Sequence, residues 1–289
     1  MSMEFISFFY VRMRSKTKLF TLNIILQLLI LSCTTLQPGM TREYSEPVFR
    51  KPESVVLDRT NQCLYVSNIN GSPTKRDGNG FISKISTSGE VISLEWITGL
   101  DAPKGMFLRE SILYCTDISN VLLIDIAKGL ILETIEIPEA KFLNDIVVTD
   151  DGLLLVTDTT EDTIFILDAG TVRKSEQRLK NANGIFYDGE IVLIGANGDI
   201  NVYSPDGDSL EVLHENVGNV DGLFKSREEI LFSNFFNKLS RIEDGIAINI
   251  DKGMFFLDCK ADFCRLEDGT IVVPDFDSRL IFYVLNEEL

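Results

Sequence analysis

Six short stretches of this chain repeat one pattern, a polar or charged side chain followed, after one more residue, by an apolar run. They are Pro52-Glu53-Ser54-Val55-Val56, Pro103-Lys104-Gly105-Met106-Phe107, Leu143-Asn144-Asp145-Ile146-Val147, Ala182-Asn183-Gly184-Ile185-Phe186, Val220-Asp221-Gly222-Leu223-Phe224 and Ala261-Asp262-Phe263-Cys264. The leading polar residues are separated by 51, 40, 39, 38 and 41 positions. A period near forty with four strands to a unit is the spacing of β-propeller blades.

The residues between these signatures agree. Short β-branched or aromatic runs alternate with turn residues, and no stretch has a clear helical pattern. The third unit reads as strands over Asp145–Thr149, Leu153–Thr157, Thr163–Leu167 and Arg173–Leu179, with Asp150-Asp151-Gly152 turning the first into the second. The fifth reads as Gly222–Lys225, Glu229–Ser233, Lys238–Ile242 and Ile246–Ile250. The last unit offers only Phe263–Leu266, Ile271–Pro274 and Leu280–Leu285 before the sequence stops. Its fourth strand is expected from the other end of the domain, at Ser45–Arg50, because an open ring would expose unpaired strand edges. The expected fold is therefore an all-β, six-bladed propeller closed by an N-terminal strand. The long first interval falls in Asn68–Gly80, a polar, glycine-rich loop expected on the face where the innermost strands begin. Long loops in compact domains are commonly functional.

A residue at the start of an innermost strand points toward the propeller axis. Glu53, Lys104, Asn144, Asn183, Asp221 and Asp262 should then form a ring around one channel mouth. Three are carboxylates, two offer amide oxygens, and Lys104 is the sole cation. Hard cations such as calcium collect oxygen ligands of this kind, and Glu53, Asn183 and Asp221 with Asn144 nearby have that chemistry. The plainer alternative is a polar, water-filled mouth, in which Asn-Gly and Asp-Gly are ordinary turn pairs.

From about Glu46 to the C-terminus these signatures resemble the senescence-marker-protein/gluconolactonase family of six-bladed propellers, to which regucalcin belongs. That family has a glutamate opening the first blade, Asn-Asp the third, Asn-Gly the fourth and Asp-Gly the fifth. Here they stand as Glu53, Asn144-Asp145, Asn183-Gly184 and Asp221-Gly222. The resemblance implies a divalent metal on Glu53, Asn183 and Asp221, with calcium first and zinc or magnesium as alternatives. It implies substrate contact by Asn144, and the site is expected to extend to Asp145, Lys104 and Asp262. Metal-assisted opening of a lactone, with Asp221 as general base, is the implied chemistry. One position departs: some lactonases of the family carry an arginine two residues before the third-blade asparagine, and here that residue is Phe142. Lys104 either replaces that charge or neutralises a carboxylate.

The N-terminal segment points outside the cytoplasm. Arg12, Arg14, Lys16 and Lys18 precede a largely apolar run over Leu19–Leu31, too short to span a bilayer comfortably. The run ends in Ile30-Leu31-Ser32-Cys33, which resembles a bacterial lipobox. Residues 1–32 are thus expected to be a lipoprotein-type signal peptide, or alternatively an uncleaved anchor, with Cys33 the lipidated residue. Residues 33–43 read as a tether and 44–289 as the propeller, held at the cell envelope and touching membrane only through Cys33.

Composition narrows the chemistry. Without residues 1–32, 23 basic groups face 43 acidic ones, a formal charge of −20 that repels phosphate backbones and excludes nucleic acid as a partner. A single histidine, His214, argues against a Ser-His-Asp triad or a histidine-rich zinc site. Cys63, Cys115, Cys259 and Cys264 lack zinc spacing. They read as small buried residues, with Cys259–Cys264 the one conceivable disulfide. The expectation is an envelope hydrolase opening a lactone or related ester in a small-molecule substrate. The alternatives are a non-enzymatic binding propeller using the same face, and a metal-free catalyst resembling strictosidine synthase.

Overall fold

A computed structural model describes residues 40–227, 229–234, 238–252 and 261–285, all within one compact unit, Leu36–Leu289. The expected signal peptide, the lipidation at Cys33, most of the tether and Cys259 lie outside the described residues. Among those described, every regular element is a strand. The first blade comprises β2 (Pro52–Asp58), β3 (Cys63–Asn68), β4 (Gly80–Ser86) and β5 (Val91–Leu100), and the second β6 (Pro103–Arg109), β7 (Ile112–Asp117), β8 (Asn120–Asp125) and β9 (Leu130–Glu136). The third holds β10 (Leu143–Val148), β11 (Leu154–Asp158), β12 (Thr163–Asp168) and β13 (Thr171–Lys174), and the fourth β14 (Ile185–Tyr187), β15 (Val192–Ala196), β16 (Asp199–Ser204) and β17 (Ser209–His214). The fifth is β18 (Val220–Lys225), β19 (Ile230–Asn234), β20 (Lys238–Glu243) and β21 (Ile246–Lys252). In the sixth, β22 (Cys264–Arg265), β23 (Ile271–Pro274) and β24 (Leu280–Leu285) are completed by β1 (Met40–Tyr44). The chain is a six-bladed β-propeller.

The ring closes as expected but with a different strand. Met40–Tyr44 pairs antiparallel with β24, Met40 opposite Leu285 and Tyr44 opposite Ile281. The expected strand at Ser45–Arg50 is instead the crossing into the first blade. Pro47 has no N–H to give a ladder, Val48 N–H turns back on the Glu46 carbonyl, and Phe49 is carried into the core. The tether expected to run to residue 43 therefore ends before Met40. Thr41, Glu43 and Tyr44 are exposed, so this outer strand has no alternation to announce it.

Apolar residues of facing blades meet between the sheets. Cys63, Tyr65 and Ile82 of the first blade pack on Met106, Leu113 and Cys115 of the second, and Val147 and Leu155 of the third on Ile185 and Ile194 of the fourth. Each such side chain, fully buried, contributes about 1.5–3 kcal/mol. Cys63 and Cys115 are buried free thiols, as expected, and Cys264 is a half-buried one.

Candidate metal and substrate site

The repeated signature has a backbone meaning. In β2, β6, β10 and β18 the register with the second strand slips at one place, between Pro52 and Val55, Pro103 and Met106, Leu143 and Ile146, and Val220 and Leu223. Each slip is a bulge enclosing the signature pair: Glu53-Ser54, Lys104-Gly105, Asn144-Asp145 and Asp221-Gly222. A bulge re-aims side chains at a sheet edge, and this one turns the leading polar residue toward the axis. The residue after it must be small where the next blade passes close. A Cβ on Gly105 would strike the Asn144 carbonyl and the Asp145 carboxylate, and one on Gly184 would strike the Asp221 carbonyl.

A second recurring pair, unremarked in the sequence, holds these bulges. Ser67-Asn68, Thr116-Asp117, Thr157-Asp158 and Ser233-Asn234 end the second strands of four blades, twelve to fourteen residues after each ring residue. The hydroxyls of Ser67, Thr157 and Ser233 accept the bulge amides of Ser54, Asp145 and Gly222 at 2.9, 3.0 and 2.7 Å. Those of Thr116, Thr157 and Ser233 donate to the next blade, at Asn144 O (2.5 Å), Asn183 O (2.8 Å) and Ala261 O (2.8 Å). The Asn or Asp of each pair fixes the chain entering the inner strand, as when Asp158 accepts Phe142 N–H at 3.0 Å. The periodic [Ser/Thr]-[Asn/Asp] pair was the available signal.

All six ring residues share this rim. Glu53, Lys104, Asn144, Asp145 and Asp221 are buried, and Asn183 and Asp262 half-buried. Five buried oxygens here have no hydrogen-bond partner: Glu53 Oε2, Asn144 Oδ1, Asp145 Oδ1, Asn183 Oδ1 and Asp221 Oδ2. The amide orientations follow from their neighbours. Asn183 Nδ2 donates to Asp221 Oδ1. Thr159 Oγ1 gives its proton to Ala182 O and so accepts Asn144 Nδ2 at 3.2 Å. Both Asn oxygens are thus left free.

Asp262 differs from its neighbours. Ser54 Oγ and its own blade's Phe263 N–H donate to its two oxygens at 2.7 and 2.9 Å, so it ties the sixth blade to the first. Asp145 lies behind the rim, against Gly105. Lys104 Nζ rests 4.3 Å from the centre of the Phe142 ring and 3.3 Å from the Ala102 carbonyl. Phe142 therefore accepts the ring's one cation on its face.

The electrostatics are those of crowded, dry carboxyls. Burial, and then the charge of Asp262, push Asp221 up to about 7 against the hydrogen bond from Asn183. Burial lifts Asp262 to about 7 against its bond from Ser54. Burial and the Asp221 charge raise Glu53 well above the ordinary carboxylate range despite Lys104, and burial with Asp262 and Glu53 does the same to Asp145. Burial lowers Lys104, with Glu53 and Asp117 opposing. Among the described residues no three His, Cys, Asp or Glu side chains are gathered tightly enough to hold a metal by themselves. A cation here needs the two amide oxygens as well, and Glu53, Asn144, Asn183 and Asp221 fit one: each presents a buried oxygen without a hydrogen-bond partner.

The loop between β3 and β4 lies on this rim. Arg76 reaches Ser119 Oγ at 2.6 Å and Gly78 N–H reaches Asp101 Oδ1 at 3.0 Å, laying it over the second blade.

No family model matches this sequence, and no curated protein does. Solved structures do. A gluconolactonase from Xanthomonas campestris is similar over 86% of this chain and 91% of that one, with 13% identity and a TM-score of 0.67. A streptogramin B lyase is similar over 86% and 98%, with 13% identity and a TM-score of 0.61. Virginiamycin B lyase from Staphylococcus aureus is similar over 85% and 99%, with 12% identity and a TM-score of 0.59. At such identities the likeness shows the fold alone.

Proposed function

We propose that the ring binds a divalent cation, calcium first, through Glu53, Asn183 and Asp221 with Asn144 beside them, and opens a lactone or related ester there. The observation that supports this is the group of buried oxygens without donors on one rim. A bound cation would polarise a substrate carbonyl and supply an acidic water. The chain's own groups contribute the rest. Asp221, with a carboxyl near neutrality, has the affinity of a group that takes and returns protons at pH 7. Its Oδ1 is held by Asn183, which leaves Oδ2 toward the ring. Lys104, steadied by Phe142 and Ala102, is the one positive charge available to a developing oxyanion. The N-terminal sequence suggests that this chemistry is carried at the cell envelope on a lipid at Cys33.

A second reading, a propeller that binds a ligand without turning it over, is favoured by Phe142, which offers an apolar ring where the resembling lactonases hold polar groups. A histidine-dependent lyase is disfavoured. One of the similar structures is a catalytically inactive histidine-to-alanine virginiamycin B lyase with quinupristin, whereas this chain's sole histidine, His214, ends β17 on the outer edge of its blade. The test is metal analysis of purified protein together with turnover of a lactone and ester panel. Divalent-dependent turnover lost in Glu53→Ala and Asp221→Ala supports the hydrolase. Metal bound with no turnover leaves the binding reading, and no metal at all overturns the metal-dependent hydrolase.

A further inference from the structure

The inner strands run from the ring toward a second mouth, and what they enclose there is unlike the rim. A cavity of about 270 Å³ opens beyond the ring, walled by Phe107, Phe186, Phe224 and Phe263. Asp145 and Asp262 form its floor, and Arg59 and Arg265 stand in its lining where β2 and β22 end. Glu53, Asn144, Asn183 and Asp221 are not in that lining, so this space is separate from the proposed metal ligands.

Two observations point to an occupant. First, a channel that only held water would not need aromatic walls. Phe107, Phe186 and Phe224 are neither fully buried nor counted among the openly exposed apolar side chains, and Phe186 meets Phe224 edge to face at 5.5 Å. They are apolar surface kept in a sheltered hollow, the usual lining of a small-molecule site. Second, among the described residues three cations at the ends of the inner strands are engaged. Arg109 bonds the carbonyls of Thr149 and Asp150, Lys225 pairs with Asp188 at 2.5 Å, and Arg265 pairs with Glu229 over the face of Phe224. The exposed guanidinium of Arg59 has no acidic partner among the described residues. In a chain of net charge −17, an unpaired arginine at the lip of an apolar cavity is a specific attraction for one anionic group.

We propose that this second mouth binds a small aromatic or short-chain carboxylate, its apolar body among Phe107, Phe186 and Phe224 and its carboxylate on Arg59. The cavity lies just below the roughly 300–1,000 Å³ of drug-sized sites, so the occupant is small.

The test uses the full-length protein and two probes, 3-phenylpropionate and its neutral counterpart 3-phenylpropan-1-ol, by calorimetry and ligand-observed NMR. Saturable 1:1 binding of the carboxylate, with negative heat-capacity change from apolar burial, is expected. Arg59→Gln should weaken the carboxylate about tenfold and leave the alcohol unchanged. Leu57→Trp, which fills the cavity, should abolish both, with thermal unfolding confirming that each variant is folded. Both probes should bind in chelator as in calcium, so failure here is distinguishable from failure of the hydrolase reading. Absence of saturable binding at millimolar probe, an unaltered carboxylate affinity in Arg59→Gln, or binding that appears only with calcium would each overturn the proposal.

Discussion

Asp221→Asn should make the metal-free protein more stable at alkaline pH while removing its response to calcium. Asp221 gives up its proton at about 7 in the folded chain against 3.8 for the free side chain. Between those values the folded state binds more protons than the unfolded one. The stability associated with this group is therefore fully present below pH 3.8 and is lost as pH rises through 7. The rise from 3.8 to about 7 corresponds to about 4 kcal/mol for Asp221 ionising alone. Asp262 is coupled to it and takes up part of the strain by keeping its own proton, so the recoverable share is on the order of 1–3 kcal/mol. Asparagine has the same shape, and its oxygen can still accept from Asn183 Nδ2, so little packing is lost.

The assay is thermal unfolding by circular dichroism in chelator and in calcium, at about pH 5 and about pH 8. A domain of this size moves about 2–4 °C per kcal/mol, so Asp221→Asn should melt several degrees above the parent in chelator at the higher pH and by a smaller margin at the lower, where only part of the loss has set in. Parent protein should lose stability from the lower to the higher pH in chelator and regain it with calcium, because a ligand bound only by the folded state must raise its stability. The variant should lose less stability between the two pH values, because the raised carboxyls of Asp262, Glu53 and Asp145 remain, and it should show no calcium response. A variant that is less stable than the parent at both pH values, or that keeps the full calcium shift, would refute the reasoning.

Three further outcomes are expected. Glu53→Gln should fold but lose calcium-induced stabilisation and any divalent-dependent turnover, as read by calorimetry and a lactone assay. Gly184→Ala forces a methyl into the Asp221 carbonyl; overpacking of this kind costs about 1–3 kcal/mol, and thermal melts should show that loss together with weakened metal binding. Thr157→Val keeps shape but leaves Asp145 N–H and the Asn183 carbonyl without their shared hydroxyl, which should cost about 1–3 kcal/mol in denaturant unfolding.

The ring was legible because one residue in each blade repeats at the blade period and its neighbours make a signature. The closing strand was less so: Met40–Tyr44 is polar and exposed, and a strand without a buried face leaves no period of two, whereas Ser45–Arg50 contains the apolar Val48 and Phe49 and reads as strand despite Pro47. The hydroxyls of Thr116, Thr157 and Ser233 escaped notice for another reason. Their work is to bond the backbone of the following blade, a contact about 26–28 positions away that no local pattern records. Nor did Asp262 look different from Asp221 in sequence. Ser54, 208 positions distant, sets it apart by occupying the carboxylate oxygen that its own Phe263 N–H leaves free.

The seam between the fourth and fifth blades joins these observations. Where the second, third and fifth blades use Thr116, Thr157 and Ser233 to bond the next blade, the fourth has Gly195, because Val220 packs where its side chain would be. No hydroxyl can close that seam. It is held instead by Gly184 N–H on the Val220 carbonyl at 3.3 Å and by Asn183 Nδ2 on the Asp221 carboxylate, so two of the three proposed metal ligands also bond across a blade boundary. An ion shared by Asn183 and Asp221 would cross-link the blades at a seam where the repeated hydroxyl is missing. Calcium should accordingly slow amide exchange in β14 and β18 more than in β6 and β10, where Thr116 already makes the link, and uniform protection across all four strands would show that the seam gains nothing particular from the ion.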